Sequence, residues 1–163
     1  MRLYSVVMIC TGNLCRSPMA EGILKRKVAL QNRTDIRVSS MGIHAPENQN
    51  ATSDAILVCR EHLIDISGHQ SRPLVFDELR GADIIFVMEK FHSNFIRTFV
   101  PQAAEKLALL ALWPAKDSKE SAVPDPINGK TKEYRKIFKL IESHIDRIMP
   151  FLLAEFVPNG KSG

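Results

Sequence analysis

Two cysteines, an arginine and a serine share one short loop near the start of the chain. It reads Cys10-Thr11-Gly12-Asn13-Leu14-Cys15-Arg16-Ser17-Pro18. Gly12 and Asn13 tolerate positive φ, so the backbone can curl with several N–H groups turned inward. A helix starting after the loop adds its own unpaired N–H groups and its dipole. Arg16 adds a planar guanidinium suited to two oxygens of a tetrahedral oxyanion. Residues 11–17 together make a cradle for a phosphate. Cys10 stands at its mouth, and the same positive surroundings favour a thiolate. A thiolate beneath a bound phosphate is a nucleophile. The Cys10-x5-Arg16 spacing therefore reads as covalent phosphoryl transfer to sulfur.

Such a transfer needs an acid for the leaving oxygen. Asp125 lies between Pro124 and Pro126, two residues that restrict its loop and help aim a carboxyl group. For a tyrosine ester the leaving phenol has a pKa of about 10, so proton donation helps. The same carboxylate can then activate water against the phosphocysteine.

These groups need a frame. Leu3 to Ile9 is a nearly continuous apolar run rich in β-branched residues, as in a parallel strand covered on both faces. Ser17 and Pro18 predict the start of a helix, with Ser17 as its N-cap, running to about Asn32. A second strand is expected over Ile36–Ser40 and a polar loop over Gly42–Asn50. Thr52 or Ser53 caps a helix that closes near Ser67-Gly68. Ala82–Met88 predicts a central strand, Lys90–Phe99 a helix ended by Pro101, and Leu107–Leu112 a further strand. Residues 114–126, rich in proline, read as loop. From Thr131, Tyr134, Ile137, Phe138, Ile141, Ile145, Ile148, Met149 and Leu152 recur at helical spacing. The fold class is α/β: a three-layer, open, mostly parallel twisted sheet with helices on both faces. Ligands of such sheets sit beyond the carboxyl ends of the strands, where the Cys10–Ser17 loop falls.

The 163 residues suit one domain, set at 1–157, with 158–163 a disordered tail. The net charge is +4, and Lys and Arg are interspersed with acids rather than massed. That gives no nucleic-acid footprint but favours anionic ligands at long range. No apolar run is long enough to span a membrane. Three cysteines, an odd number, argue against a disulfide framework and for a reducing cytoplasm.

The segment CTGNLCRSPMAEG resembles the active-site loop of low-molecular-weight protein tyrosine phosphatases, and VPDP resembles that family's acid loop. ISGHQSRPL, with His69, and ADIIFVME also look like pieces of the family. The resemblance covers nearly the whole chain. It implies Cys10 as nucleophile, Arg16 as phosphate clamp and Asp125 as general acid and base. Ser17 would donate to the Cys10 thiolate, Asn13 would hold the strained loop, and His69 would support it. Cys15 would be a second thiol able to close a reversible disulfide with Cys10. No metal or cofactor is implied. A phosphorylated protein is the implied substrate, a tyrosine kinase the implied counterpart, and phosphate-like oxyanions the implied inhibitors.

Two stretches depart from the commonest pattern. Many members follow Asp-Pro with aromatic residues, whereas this chain has Ile127 and Asn128. A branch that removes phosphate from protein arginine has a similar Asp-Pro-apolar-x-Gly pattern and resembles residues 82–107. That branch tends to carry Thr where this chain has Leu14. Leu14 thus favours phosphotyrosine, while Ile127-Asn128-Gly129 leaves phosphoarginine open. Arsenate reductases of this fold need a further redox cysteine pair, and only Cys59 lies beyond the loop. A phosphate-binding module without turnover, or a redox sensor built on Cys10 and Cys15, are the rivals from other classes. Cys59 reads as core, and Trp113 as a packing anchor rather than a pocket wall. His44, His62, His92 and His144 show no metal-ligand spacing. Glu89 either touches the site or caps the next helix. Tyr134 reads as packing, with regulatory phosphorylation a further option.

Overall fold

A computed structural model describes residues 2–115 and 122–158. Four strands form one parallel sheet in the order β2-β1-β3-β4. They are β1 (Tyr4–Cys10), β2 (Ile36–Gly42), β3 (Ile84–Val87) and β4 (Leu107–Leu109). The helices are α1 (Arg16–Leu30), α2 (Ser53–Glu61), α3 (Phe76–Gly81), α4 (Lys90–Phe99) and α5 (Thr131–Glu155). A 3-10 turn, Pro101–Lys106, precedes β4.

The apolar run of β1 is explained by cover on both faces. Val6, Met8 and Cys10 point into a core built with α1, α2 and α5. Val7 and Ile9 point into a second core with α3, α4 and the 3-10 turn. Side chains alternate along a strand, so a buried strand must be apolar at every position. The register places Cys10 opposite Gly42 and Ile9 opposite Val87. Cys10, Gly42 and the residues after Val87 therefore meet at one carboxyl edge of the sheet.

The predicted architecture holds, with local differences. The helix N-cap is Cys15, not Ser17, and it makes no side-chain cap bond. The Ser17 hydroxyl is instead drawn into the loop. Strand β2 runs two residues further than expected, to Gly42. Helix α2, capped by Thr52, stops at Glu61, well before Ser67. Leu63 takes φ 59° and reverses the chain there, although it is 82% exposed. Helix α3 was not anticipated, because six residues are too few to show a period. β4 ends at Leu109, and turns follow it. Of the 114–126 loop, residues 116–121 lie outside the described residues, as do 159–163 of the expected tail. The end of the described chain is held, since Tyr4 Oη donates to the Val157 carbonyl at 2.8 Å and its ring stacks on Phe156.

Candidate active site

The loop after β1 is built around Asn13. Its φ is 54°, a left-handed conformation that a short amide side chain tolerates better than most. The Asn13 side chain is fully buried and makes three bonds. Nδ2 donates to Ser17 Oγ at 2.8 Å and to Ser40 Oγ at 2.9 Å. Oδ1 accepts the Arg72 backbone N–H at 3.0 Å. Ser40 in turn donates to the Glu21 carboxylate. His69 Nε2 sits 2.8 Å from the Asn13 carbonyl. One amide thus ties the loop to α1, to β2 and to the 69–72 segment.

That arrangement fixes a proton. Ser17 Oγ accepts from Asn13, so its own hydrogen is left for Cys10 Sγ, 3.0 Å away. The Asn13 backbone N–H also donates to this sulfur, at 3.2 Å. Two donors converge on Cys10 Sγ, which is buried at the end of β1.

The Arg16 side chain is only 1% exposed. Its Nη1 donates to Glu89 Oε2 at 2.9 Å and to the Val123 carbonyl at 3.0 Å. Its Nη2 donates to Asp125 Oδ2 at 3.2 Å and to Thr11 Oγ1 at 3.3 Å. Nε has no partner, and among the described residues it is the one buried side-chain nitrogen or oxygen left so. A buried N–H without an acceptor is costly. Here it sits beside a loop rich in N–H groups, as an oxyanion site requires.

The Asp125 side chain is 34% exposed. Its Oδ1 accepts the Ile127 N–H at 3.1 Å and the Cys15 thiol at 3.5 Å. Burial pushes the Cys15 thiol well above the ordinary cysteine range, and the nearby Cys10 and Asp125 charges add to this. Cys15 is therefore a protonated donor here. All three cysteines are free.

The residues after β3 supply two more groups to the site. Glu89 does both things considered for it, binding Arg16 and capping α4. His92, three residues on, closes the same capping box: its Nδ1 accepts the Glu89 N–H at 3.1 Å. The other ring nitrogen lies 2.9 Å from Thr11 Oγ1. Burial, then the charge of Arg16, pushes His92 down to about 3. The ring is neutral, Nδ1 is an acceptor, and so Nε2 carries the hydrogen and donates to Thr11. The available signal was a Glu-x-x-His step directly after an apolar strand. Gly42 was missed as a site residue. A Cβ there would stand 2.6 Å from the Thr11 carbonyl and 2.9 Å from the Asn13 nitrogen. Only glycine lets β2 approach the loop that closely.

The other residues named from the sequence have the following surroundings. Leu14 is half-buried, and its carbonyl accepts the Thr52 N–H at 2.8 Å. Gly12 is half-buried, with open space for a Cβ apart from contact with Leu14. Tyr134 is buried on α5, which removes it as an accessible phosphorylation site in the folded chain. Trp113 packs edge-on to Phe86 and to Phe151 of α5. Cys59 is buried, and burial pushes its thiol up to about 12, as for a core residue.

This combination is an α/β scaffold carrying an oxyanion loop, with a buried thiol and arginine, at the carboxyl edge of a parallel sheet. A sequence model of the family described as low molecular weight phosphotyrosine protein phosphatase matches residues 5–157. The chain belongs to that family and is a phosphatase. It is 31% identical over 156 residues to the low molecular weight protein-tyrosine-phosphatase PtpA of Staphylococcus saprophyticus, covering 94% of this chain and 96% of that one. It is 30% identical over 152 residues to a protein-arginine-phosphatase of Geobacillus stearothermophilus, covering 93% and 98%. Among solved structures, a low molecular weight protein tyrosine phosphatase from T. tengcongensis superposes with TM-score 0.84 at 33% identity, covering 91% and 99%.

Proposed function

We propose that this chain hydrolyses phosphotyrosine on phosphorylated proteins through a cysteinyl-phosphate intermediate. The observation that carries this reading is the pairing of Cys10 Sγ, held by two donors, with the unpartnered Nε of Arg16. The loop N–H groups and Arg16 take the phosphate oxygens. The Cys10 thiolate attacks phosphorus and the phosphorus–oxygen bond to the tyrosine breaks. Protonated Asp125 gives its proton to the leaving phenolate oxygen. Asp125, now a carboxylate, takes a proton from water as that water attacks phosphorus. The sulfur–phosphorus bond breaks, phosphate leaves and the thiolate returns. An oxyanion on Arg16 competes with Asp125 for Nη2, which frees the carboxyl group to turn to the leaving oxygen.

The same reading makes residues 1–157 one catalytic domain and a tyrosine kinase its counterpart. Phosphate-like oxyanions act as inhibitors, and three free thiols suit the cytoplasm. Cys15 serves as the partner that traps an oxidised Cys10 as a disulfide. Phosphoarginine is the second substrate reading. It is favoured by Ile127, 45% exposed where an aromatic ring would stack, and by the similarity to an arginine phosphatase.

Cys10→Ser should abolish turnover of p-nitrophenyl phosphate while retaining vanadate binding, and wild type should yield a trapped phosphocysteine. A serine variant working at near wild-type rate would overturn the mechanism. Parallel kinetics on phosphotyrosine and phosphoarginine peptides, repeated with Leu14→Thr, decide between the substrates.

A further inference from the structure

The two oxygens of Asp125 are not equivalent. Oδ1 accepts the Ile127 N–H at 3.1 Å and the Cys15 thiol at 3.5 Å. A carbonyl-type oxygen offers two lone pairs, and both are taken. The proton that Asp125 carries into the first step therefore falls to Oδ2. That oxygen lies 3.2 Å from Arg16 Nη2, beside the group that meets a phosphoryl oxygen.

The two donors on Oδ1 do different work. Ile127 lies two residues further along the same loop, so its N–H follows that loop wherever it goes. Cys15 belongs to the cradle, 110 residues away in sequence, where it occupies the N-cap position of α1. Among the described residues the Asp125 side chain has three bonded neighbours, Cys15, Arg16 and Ile127. Once an oxyanion takes Arg16 Nη2, the thiol is the side-chain link left between cradle and acid. Bonds from Arg16 and Met88 to Val123 fix where the loop begins, but not how the carboxyl group two residues later is turned. The Cys15 side chain is buried and outside any disulfide, and burial keeps its hydrogen on sulfur.

We propose that Cys15 is the positioning residue for the general acid: its thiol holds Asp125 Oδ1 so that the proton sits on Oδ2, aimed at the leaving oxygen. The proposal rests on the phosphatase reading above and gives the second thiol a task in the reduced enzyme, apart from any disulfide. As the phosphorus–oxygen bond breaks, its electron pair goes to the leaving oxygen, which takes the Oδ2 proton. Cys15 keeps its own hydrogen throughout and acts only through Asp125. A phenol leaving group, with a pKa of about 10, depends on that proton. The nitro group makes p-nitrophenol a stronger acid, and it needs the proton less.

The test measures kcat and KM on phenyl phosphate and p-nitrophenyl phosphate, with every protein kept reduced by dithiothreitol. The proteins are wild type, Cys15→Ala, Cys15→Val, Cys15→Ser, Asp125→Ala and Cys15→Ala/Asp125→Ala. In Cys15→Ala, kcat on phenyl phosphate should fall about fivefold further than on p-nitrophenyl phosphate, the weight of one hydrogen bond. Cys15→Val fills the space without a donor and should show the same selective loss. Cys15→Ser, which keeps a donor, should recover most of it. In the Asp125→Ala background the selective loss should vanish, because nothing is left to aim. Equal losses on both substrates, or a selective loss that persists without Asp125, would overturn the proposal and leave Cys15 a packing residue of the loop. Wild type inactive on both substrates would instead sink the phosphatase reading, and this assignment with it.

Discussion

Replacing Asn13 by alanine tests whether one amide organises the loop. The substitution removes bonds to Ser17 and Ser40, both buried, and to the partly buried Arg72 N–H. At roughly 1 kcal/mol each, these amount to about 3 kcal/mol. A Cβ-only side chain at φ 54° adds about 1 kcal/mol of left-handed strain. A loss of about 4 kcal/mol lowers Tm by roughly 8–16 °C in a chain of this size. The Ser17 hydroxyl, no longer held, stops donating reliably to Cys10. Loss of a bond to a charged group is worth about 1.5–3 kcal/mol, so kcat should fall roughly 10- to 100-fold. Asn13→Gly separates the two terms, because it relieves the backbone but not the lost bonds. It should melt above the alanine variant by a few degrees and be no more active. Thermal melts by circular dichroism and kcat on p-nitrophenyl phosphate read both quantities. An alanine variant melting within about 3 °C of wild type at full activity would refute the reasoning.

Gly42→Ala should damage the site from behind, because the new methyl meets the loop backbone at Thr11 and Asn13. A stability loss of about 1–3 kcal/mol with a fall in kcat/KM is expected, whereas Gly81→Ala, with nothing within 4 Å, stays near wild type; equal behaviour in urea melts and kinetics would count against the close approach. His92 is held neutral in the fold, at about 3 against an ordinary 6.5. Between those values the unfolded chain binds a proton that the folded chain does not, so stability falls as pH drops from about 6.5 towards 3 and is flat above. Urea midpoints near pH 4.5 and 7.5 should differ less in His92→Gln than in wild type, and an undiminished difference would rule out a neutral buried ring.

The site was legible where its residues are contiguous. Residues 10–17 announce themselves, because a cradle needs its thiol, glycine, amide and guanidinium within one turn of chain. Asp125 was legible only beside that loop, since aspartate between prolines is common in turns. Ser40, Arg72 and Gly42 reach the loop through sheet register and packing, and no local pattern reports such meetings. Ser17 shows a real conflict. Serine before proline is a standard helix start, yet its hydroxyl is spent on Asn13 and Cys10, and a cysteine takes the cap position without capping. In the fold, β1 was readable from its nearly continuous apolar run, α4 from the proline that ends it, and α5 from its helical spacing. α3 and β4 were not, or only weakly, because six and three residues carry too little pattern.

The first turn of α4 has a consequence for how the enzyme can fail. Helix ends ordinarily fray, and fraying is harmless at most surfaces. Here the frayed state releases Glu89 from Arg16 and His92 from Thr11 together, because the same two side chains that end the helix also brace the guanidinium. A brief local opening of one helical turn would switch the site off with the sheet and both cores still intact. The working lifetime of the site is then set by the most easily opened turn that touches it, rather than by the stability of the fold as a whole.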